Sequence, residues 1–215
     1  MKTFEKILDL IFPPSSIDRE MREINIDNIY QKCRKANILD INNTIVFFDY
    51  KDKLIRHMIH SLKFKGNTKI AKLFAEVIYN EILEEIADLK IFSNFEKPLL
   101  IPIPISPKRR RERGFNQTEI IAKEIIKLNK NNLFDLDIGN LIKIKNTNAQ
   151  SSLKNRRDRF ENQKGCFSIR YPEKIKDRNI ILIDDVITTG ATITEAKKTL
   201  KQSGSKKIIT VAFAH

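Results

Sequence analysis

Two kinds of segment alternate along the chain. In one, apolar residues recur every three or four positions, the spacing of an amphipathic helix; in the other, nearly every residue is apolar, as in a strand covered on both faces. Residues 54–64 place Ile55, Met58, Ile59 and Leu62 on one helical stripe, closed by Lys65-Gly66. A longer helix is predicted from about 68 to 89, burying Ile70, Leu73, Phe74, Val77, Ile78 and Ile82. Another opens at Phe115-Asn116-Gln117-Thr118 with Ile120, Ile121, Ile125 and Leu128 apolar, and a last one ends near Ser203, with Gly204 beyond it. Between them, residues 44–50, 99–104, 141–145, 179–186 and 207–214 read as short strands rich in branched and aromatic side chains. Strands alternating with helices predict an α/β domain, its mainly parallel sheet flanked by helices. In such sheets ligands bind where strand C-termini feed loops.

Residues 1–49 are more heterogeneous and predict a small N-terminal segment ahead of a main domain over 50–215. They begin with a short amphipathic stretch stopped by Pro13-Pro14. Glu5 and Asp9 lie inside it and no small-residue cleavage site follows, so it reads as a helix, not a secretory leader.

Composition narrows the classes. With 215 residues, 41% hydrophobic and 31% charged, the chain suits one domain with a small appendage and excludes collagen-like, long disordered and disulfide-dense architectures. Forty Lys+Arg against 27 Asp+Glu leave a net charge of +13. That excess points to a polyanionic partner, nucleic acid or a phosphorylated ligand, with an ordinary basic protein as the alternative. Cys33 and Cys166 belong to no CxxC pair, which excludes a disulfide framework and a complete zinc site; Cys166 reads as a small buried residue. His57 and His60, three apart on a helix, lack acidic or thiol company at ligand spacing and are not read as a metal site. No run of about 18 apolar residues is present. These features predict a reduced, cytoplasmic protein without a membrane span.

The strongest chemical signal is Ile180-Ile181-Leu182-Ile183-Asp184-Asp185-Val186-Ile187-Thr188-Thr189-Gly190-Ala191-Thr192. The strand delivers two adjacent carboxylates to its C-terminal edge, where they repel unless hydroxyl donors or a cation intervene. Gly190 then permits a turn of positive φ. Backbone N–H groups and the hydroxyls of Thr188, Thr189 and Thr192 converge at the start of the next helix, a nest for a phosphate. A hydroxyl-accepting pair beside a phosphate nest describes a site for a sugar phosphate. The plainer alternative is an acidic loop in which Thr192 is an N-cap.

A second segment, residues 101–117, follows a strand and holds Lys108, Arg109, Arg110, Arg111 and Arg113 in a loop expected over 106–114. Five cations in six positions must be solvated or bound to anions, so the loop is either a phosphate site or a hydrated basic surface. A polar basic loop is also expected over 146–160.

The acidic string closely resembles the phosphoribosyl-pyrophosphate (PRPP) motif of type I phosphoribosyltransferases. Together with Pro107-Lys108-Arg109, Arg111-Glu112-Arg113-Gly114-Phe115-Asn116-Gln117, the Leu62-Lys63-Phe64-Lys65-Gly66 helix end, and Asn148-Ala149-Gln150-Ser151-Ser152-Leu153 followed by Arg156, Arg157 and Phe160, it resembles the ComF/GntX family of competence-related proteins, from about residue 50 onward. The resemblance implies a type I phosphoribosyltransferase fold and a PRPP site with Mg²⁺. Asp184 and Asp185 would hold the ribose hydroxyls, and Thr188, Thr189, Gly190, Ala191 and Thr192 the 5′-phosphate. Lys108, Arg109, Arg111 and Arg113 would meet pyrophosphate or nucleic-acid phosphates; Asp184, Asp185 and Arg109 form the implied catalytic set. Gln150, Ser151, Ser152, Arg156 and Arg157 would belong to a flexible hood, unless that stretch is an ordinary basic surface loop. Many members begin with a four-cysteine finger. Here Cys33 remains while Tyr30 stands where its partner would be, so a degenerate finger without structural zinc is expected.

The family further implies a part in DNA uptake during natural transformation, with single-stranded DNA and a DNA-uptake helicase or processing protein as partners. A second basic cluster, Lys154, Arg156, Arg157 and Arg159, would add to phosphate contacts, with Phe115 and Phe160 the nearest aromatics. No base-binding segment is recognisable. The alternatives are a PRPP sensor without catalysis and a nucleobase or nucleotide salvage transferase without a DNA role.

Overall fold

A strand such as 180–186, apolar up to its last turn, must be covered on both sides, and the computed structural model shows how. It describes residues 14–36, 43–92, 95–146 and 156–215, the side chains of 88–92 and 156 excepted. The helix expected before Pro13 lies outside the described residues. In chain order the elements are α1 (Ser16–Glu23), α2 (Ile29–Lys32), β1 (Thr44–Phe48), α3 (Lys53–Lys65), α4 (Thr68–Phe92), β2 (Leu99–Pro102), α5 (Pro107–Arg113), α6 (Gln117–Leu128), β3 (Asp135–Leu136), β4 (Leu141–Lys143), α7 (Arg156–Gln163), β5 (Phe167–Ile169), β6 (Ile180–Val186), α8 (Ala191–Gln202) and β7 (Ile208–Ala214).

Five strands form a wholly parallel sheet in the order β1-β7-β6-β2-β3. The two-residue side-chain period sorts the core into two layers. Ile181, Ile183, Val211 and Phe213 face α3, α4 and α6 and pack with Met58, Leu62, Phe74 and Ile121. Ile180, Leu182 and Ala212 face the opposite way, onto Ile193, Ala196 and Leu200 of α8 and onto Leu141 and Phe167 of β4 and β5. The fold is the expected α/β one, a parallel sheet between helices. β1 lies on the edge of this sheet beside β7, and Ile24, Ile29 and Cys33 join the first layer's core. The boundary expected at residue 49 thus follows directly on a strand of the main sheet. Burial pushes the Cys33 thiol up to about 12.

Three expectations need correction. The strand predicted over 141–145 spans only Leu141–Lys143, and it pairs antiparallel with β5 outside the main sheet. The loop expected over 106–114 is a helix, α5: Ser106 accepts from the Arg109 N–H at 3.3 Å and Pro107 occupies the first turn, a start signal that the absence of an apolar stripe concealed. The second half of the loop expected over 146–160 is likewise helical, so Arg156 and Arg157 begin α7 and are not part of an open loop. Gln150, Ser151, Ser152 and Lys154 lie outside the described residues.

The α3 stripe ends as predicted at Gly66, which has φ +59. A Cβ there would meet the Phe115 ring at 3.2 Å, so the glycine both allows the left-handed turn and lets Phe115 approach. Gly66→Ala is expected to cost about 1–2 kcal/mol, the penalty of a side chain in that conformation. Urea unfolding checks this; an unchanged midpoint would show that neither turn nor ring constrains the site.

The strand order has a positional consequence. From β2 the chain proceeds outward to β3; from β6 it proceeds the opposite way, to β7. The crevice beyond the C-terminal ends of β2 and β6 is therefore the topological switch point of the sheet. Among the described residues no helix is long and apolar enough to cross a membrane.

Candidate functional site

Both chemically unusual segments of the sequence leave their strands at this switch point. β2 and β6 run in register, Pro102 beside Ile183, and the Ile103 N–H donates to the Ile183 carbonyl at 2.8 Å. The Ile103 carbonyl then accepts from Thr118 Oγ1 at 2.7 Å and Asn116 Nδ2 at 3.0 Å. These buried bonds tie the start of α6 back to the end of β2, so α5, between them, lies over the strand ends.

The cations of α5 are not equivalent. Arg110 is spent on Glu119, its Nη1 lying 2.7 and 2.8 Å from the two carboxylate oxygens. Lys108 is exposed, 4.0 Å from Glu112. Arg113 is half-buried and donates to Gln117 Oε1 at 3.1 Å; burial lowers its guanidinium pKa and Arg109 adds to the effect, while Asp185 opposes both. Arg109 is partly buried and Arg111 exposed, and neither has an ion-pair partner among the described residues.

At the end of β6 the adjacent carboxylates face different layers, as successive strand residues must. Asp185 is 3% exposed; its Oδ1 accepts from the Val186 N–H at 2.9 Å, and its Oδ2 lies 3.0 Å from the Lys63 ammonium of α3. The latter contact is an ion pair without hydrogen-bond alignment, because that oxygen has no hydrogen-bond partner. Asp184 retains some exposure, and its Oδ1 accepts from the Asp185 N–H at 2.9 Å. Burial and then the neighbouring Asp185 charge push the Asp184 carboxyl well above its ordinary value, against the pull of Lys63. Such a group gains from any hydroxyl donor or cation brought to it.

The turn after β6 follows the sequence reading. Gly190 has φ +76 and is the cap residue of α8, without a side chain to bond the free N–H groups. Thr192 is therefore inside the helix and is not its cap. Thr189 Oγ1 is buried and has no hydrogen-bond partner, an orphan that an incoming acceptor or donor would satisfy.

Two residues to which the sequence reading gave no role belong here. Lys63, four residues after Ile59, flanks the apolar stripe of α3 and reaches Asp185. Lys143 shares the inward face of β4 with Leu141 and is 8% exposed, its ammonium donating to Gln163 Oε1 at 2.9 Å. Burial lowers the Lys143 pKa; among its titratable neighbours Cys166 and Asp184 oppose this and Arg109 reinforces it. Both lysines could have been found as charges placed on an apolar period. Arg157 is exposed on α7, which packs against α8.

The two helical histidines have neighbours of their own. His57 Nε2 lies 2.8 Å from Asp18 Oδ1, and the His60 ring rests 4.5 Å from Phe64. No group of three metal-ligating side chains occurs among the described residues. Two open grooves, of about 410 and 400 Å³, lie at the opposite end of the strands and share Arg178. Their walls mix charges of both signs, and neither holds any of the residues above.

Known proteins resemble the chain over the same region. The phosphoribosyl transferase domain family matches residues 113–215. Competence protein F of Haemophilus influenzae is 30% identical over 157 residues, covering 70% of this chain and 63% of that protein. Competence protein ComFC of Streptococcus pneumoniae is 32% identical over 154 residues, 70% of this chain and 59% of the relative. DNA utilization protein YhgH of Escherichia coli O157:H7 is 26% identical over 152 residues, 70% and 63%. The chain thus spans about three-fifths of the length of the curated relatives it matches.

Proposed function

Because the chain belongs to the ComF family and its residues 113–215 match the phosphoribosyl transferase domain family, we propose that it binds PRPP with Mg²⁺ at the switch point and acts on single-stranded DNA during uptake. One observation carries the ligand reading. A carboxyl group held well above its ordinary value stands next to a helix start without a capping side chain and a buried threonine hydroxyl without a hydrogen-bond partner, so the same few residues could take a hydroxyl donor or a cation together with a phosphate.

In this reading Asp184 accepts from a ribose hydroxyl, and Asp185 with its Lys63 completes the grip on the sugar. Thr188, Thr189, Thr192 and the first N–H groups of α8 hold the 5′-phosphate. Lys108, Arg109, Arg111 and Arg113 face the pyrophosphate, and Arg113 feels the Asp185 charge at the acidic strand end. When the bond from C1 to pyrophosphate breaks, the leaving group carries both electrons away as an oxyanion, and these cations stabilise it. The donor set fits Mg²⁺, with Asp184 its protein ligand, and the ion would offset pyrophosphate charge. Arg156 and Arg157, which begin α7, belong in this reading to the hood that the resemblance implies.

The relatives named for competence and DNA utilization, the net charge of +13 and Arg109 and Arg111 of α5, without ion-pair partners among the described residues, support the DNA role. This role suits the cytoplasmic side, where a DNA-uptake helicase or processing protein would be the partner.

Calorimetric titration with PRPP and Mg²⁺ tests the site: saturable binding is expected, and an unsaturable trace overturns the reading. Pyrophosphate release on adding nucleobases then separates the two modes. Release with one base identifies a transferase, and none with any base identifies a PRPP-sensing module.

A further inference from the structure

The described residues near the switch point include one aromatic ring that the proposed ligand does not use. Phe64, in the last turn of α3, is 59% exposed, more than any other large hydrophobic among the described residues. An exposed ring forgoes the stabilisation of burial, and this one is flanked by planar groups. His60, one turn earlier, lies 4.5 Å away between ring centroids at a tilt of 38°, and the Arg113 guanidinium stands 5.1 Å from the Phe64 centroid. Arg113 is held there by Gln117. The preceding residue, Lys63, is the partner of Asp185, so the ring stands beside the carboxylate site. By contrast, Phe115 is occupied: its ring packs against Gly66.

We infer that Phe64, with His60 and Arg113, is a stacking platform for bases of a single-stranded nucleic acid whose phosphates follow the cations of α5. Any nucleobase has the flat face that such a surface accepts, and aromatic rings beside a basic track are how single strands are held without sequence preference. A free base is the poorer occupant. Small ligands are bound by enclosure over most of their surface, and an open ring does not enclose. A base within a strand needs no enclosure, because Arg109 and Arg111, without ion pairs among the described residues, attract its phosphates. The inference rests on the reading that the chain contacts single-stranded DNA and adds the surface that takes the bases.

The test is fluorescence anisotropy of the full chain with an oligodeoxythymidylate and with an abasic strand of equal length. Phe64→Leu removes the aromatic face at an exposed position where folding tolerates it. It is expected to weaken the thymidylate about 5- to 150-fold, the worth of one stacked base. The abasic strand and the PRPP titration should not change, and Phe64→Tyr should restore binding. The platform is overturned if Phe64→Leu binds the thymidylate as the unaltered chain does, if it loses both strands equally, or if only free adenine binding falls. If the unaltered chain binds neither strand, the DNA-contact reading fails and takes the platform with it. If it binds both strands and Phe64→Leu is silent, the platform alone fails.

Discussion

Replacing Asp184 with asparagine is expected to weaken PRPP binding about 10- to 150-fold while making the ligand-free protein more stable. The affinity loss follows from removing one hydrogen bond to a charged acceptor, worth about 1.5–3 kcal/mol. The stability gain follows from the state of the carboxyl. Folding raises the Asp184 carboxyl above its unfolded value through burial and the adjacent Asp185 charge. A folded state that binds a proton more tightly is favoured where that proton is present. The contribution is full below the unfolded value, near about pH 4, and is lost as pH rises through the folded one. Asp184→Asn, which keeps an oxygen to accept the Asp185 N–H, escapes that loss. Its thermal midpoint should therefore exceed that of the unaltered chain by a margin that grows with pH and closes near about pH 4. If the ligand needs the charged form, binding expels a proton, and affinity rises with pH through the raised value. Calorimetry in two buffers of different ionisation heat reads that proton directly. Equal PRPP affinity in Asp184→Asn and the unaltered chain would remove Asp184 from the site.

Loss of Arg109, Arg111 and Arg113 together should weaken single-stranded DNA binding and flatten its salt dependence. Each phosphate contact on a single strand contributes about −0.7 to the slope of log affinity against log salt, so three cations account for a change of about 2. The matched control is Arg110→Ala. Arg110 already has Glu119 as its partner and is half-exposed, so its removal should cost about 0.2–1 kcal/mol of stability and leave the slope nearly intact. A triple variant with the slope of the unaltered chain would show that α5 does not follow the strand. An Arg110→Ala slope as flat as the triple variant's would show that net charge, not placement, decides binding.

The central sheet and its helices were legible because periodicity reports burial directly. Residues 180–186 alternate between two cores and Ile55, Met58 and Leu62 fill one stripe, so both patterns survive in the sequence. α5 was illegible as a helix because a seven-residue segment without buried residues has no period, and only Ser106 and Pro107 announce it. β4 was legible as a strand but not as part of a separate antiparallel pair, since period two says nothing about the neighbour. Within the site, the acidic pair and the glycine turn could be read from residue types. That Asp185 is committed to Lys63 while Asp184 stays partly open could not, because it depends on which layer stands opposite each face. The role of Arg110 was hidden for the same reason: its partner Glu119 arrives only when Asn116 and Thr118 fold α6 back.

The order of strands also fixes when recognition can arise during synthesis. The sheet's interior positions belong to β7, β6 and β2, its edges to β1 and β3, and β6 and β7 are made after the other three. A nascent chain halted before residue 180 has its arginine-rich helix but no acidic strand beside it, and β1 has no strand through which to join the β2–β3 pair. The proposed sugar-phosphate site therefore cannot assemble before β6 is made, and a truncated product that lacks β6 is not expected to bind PRPP.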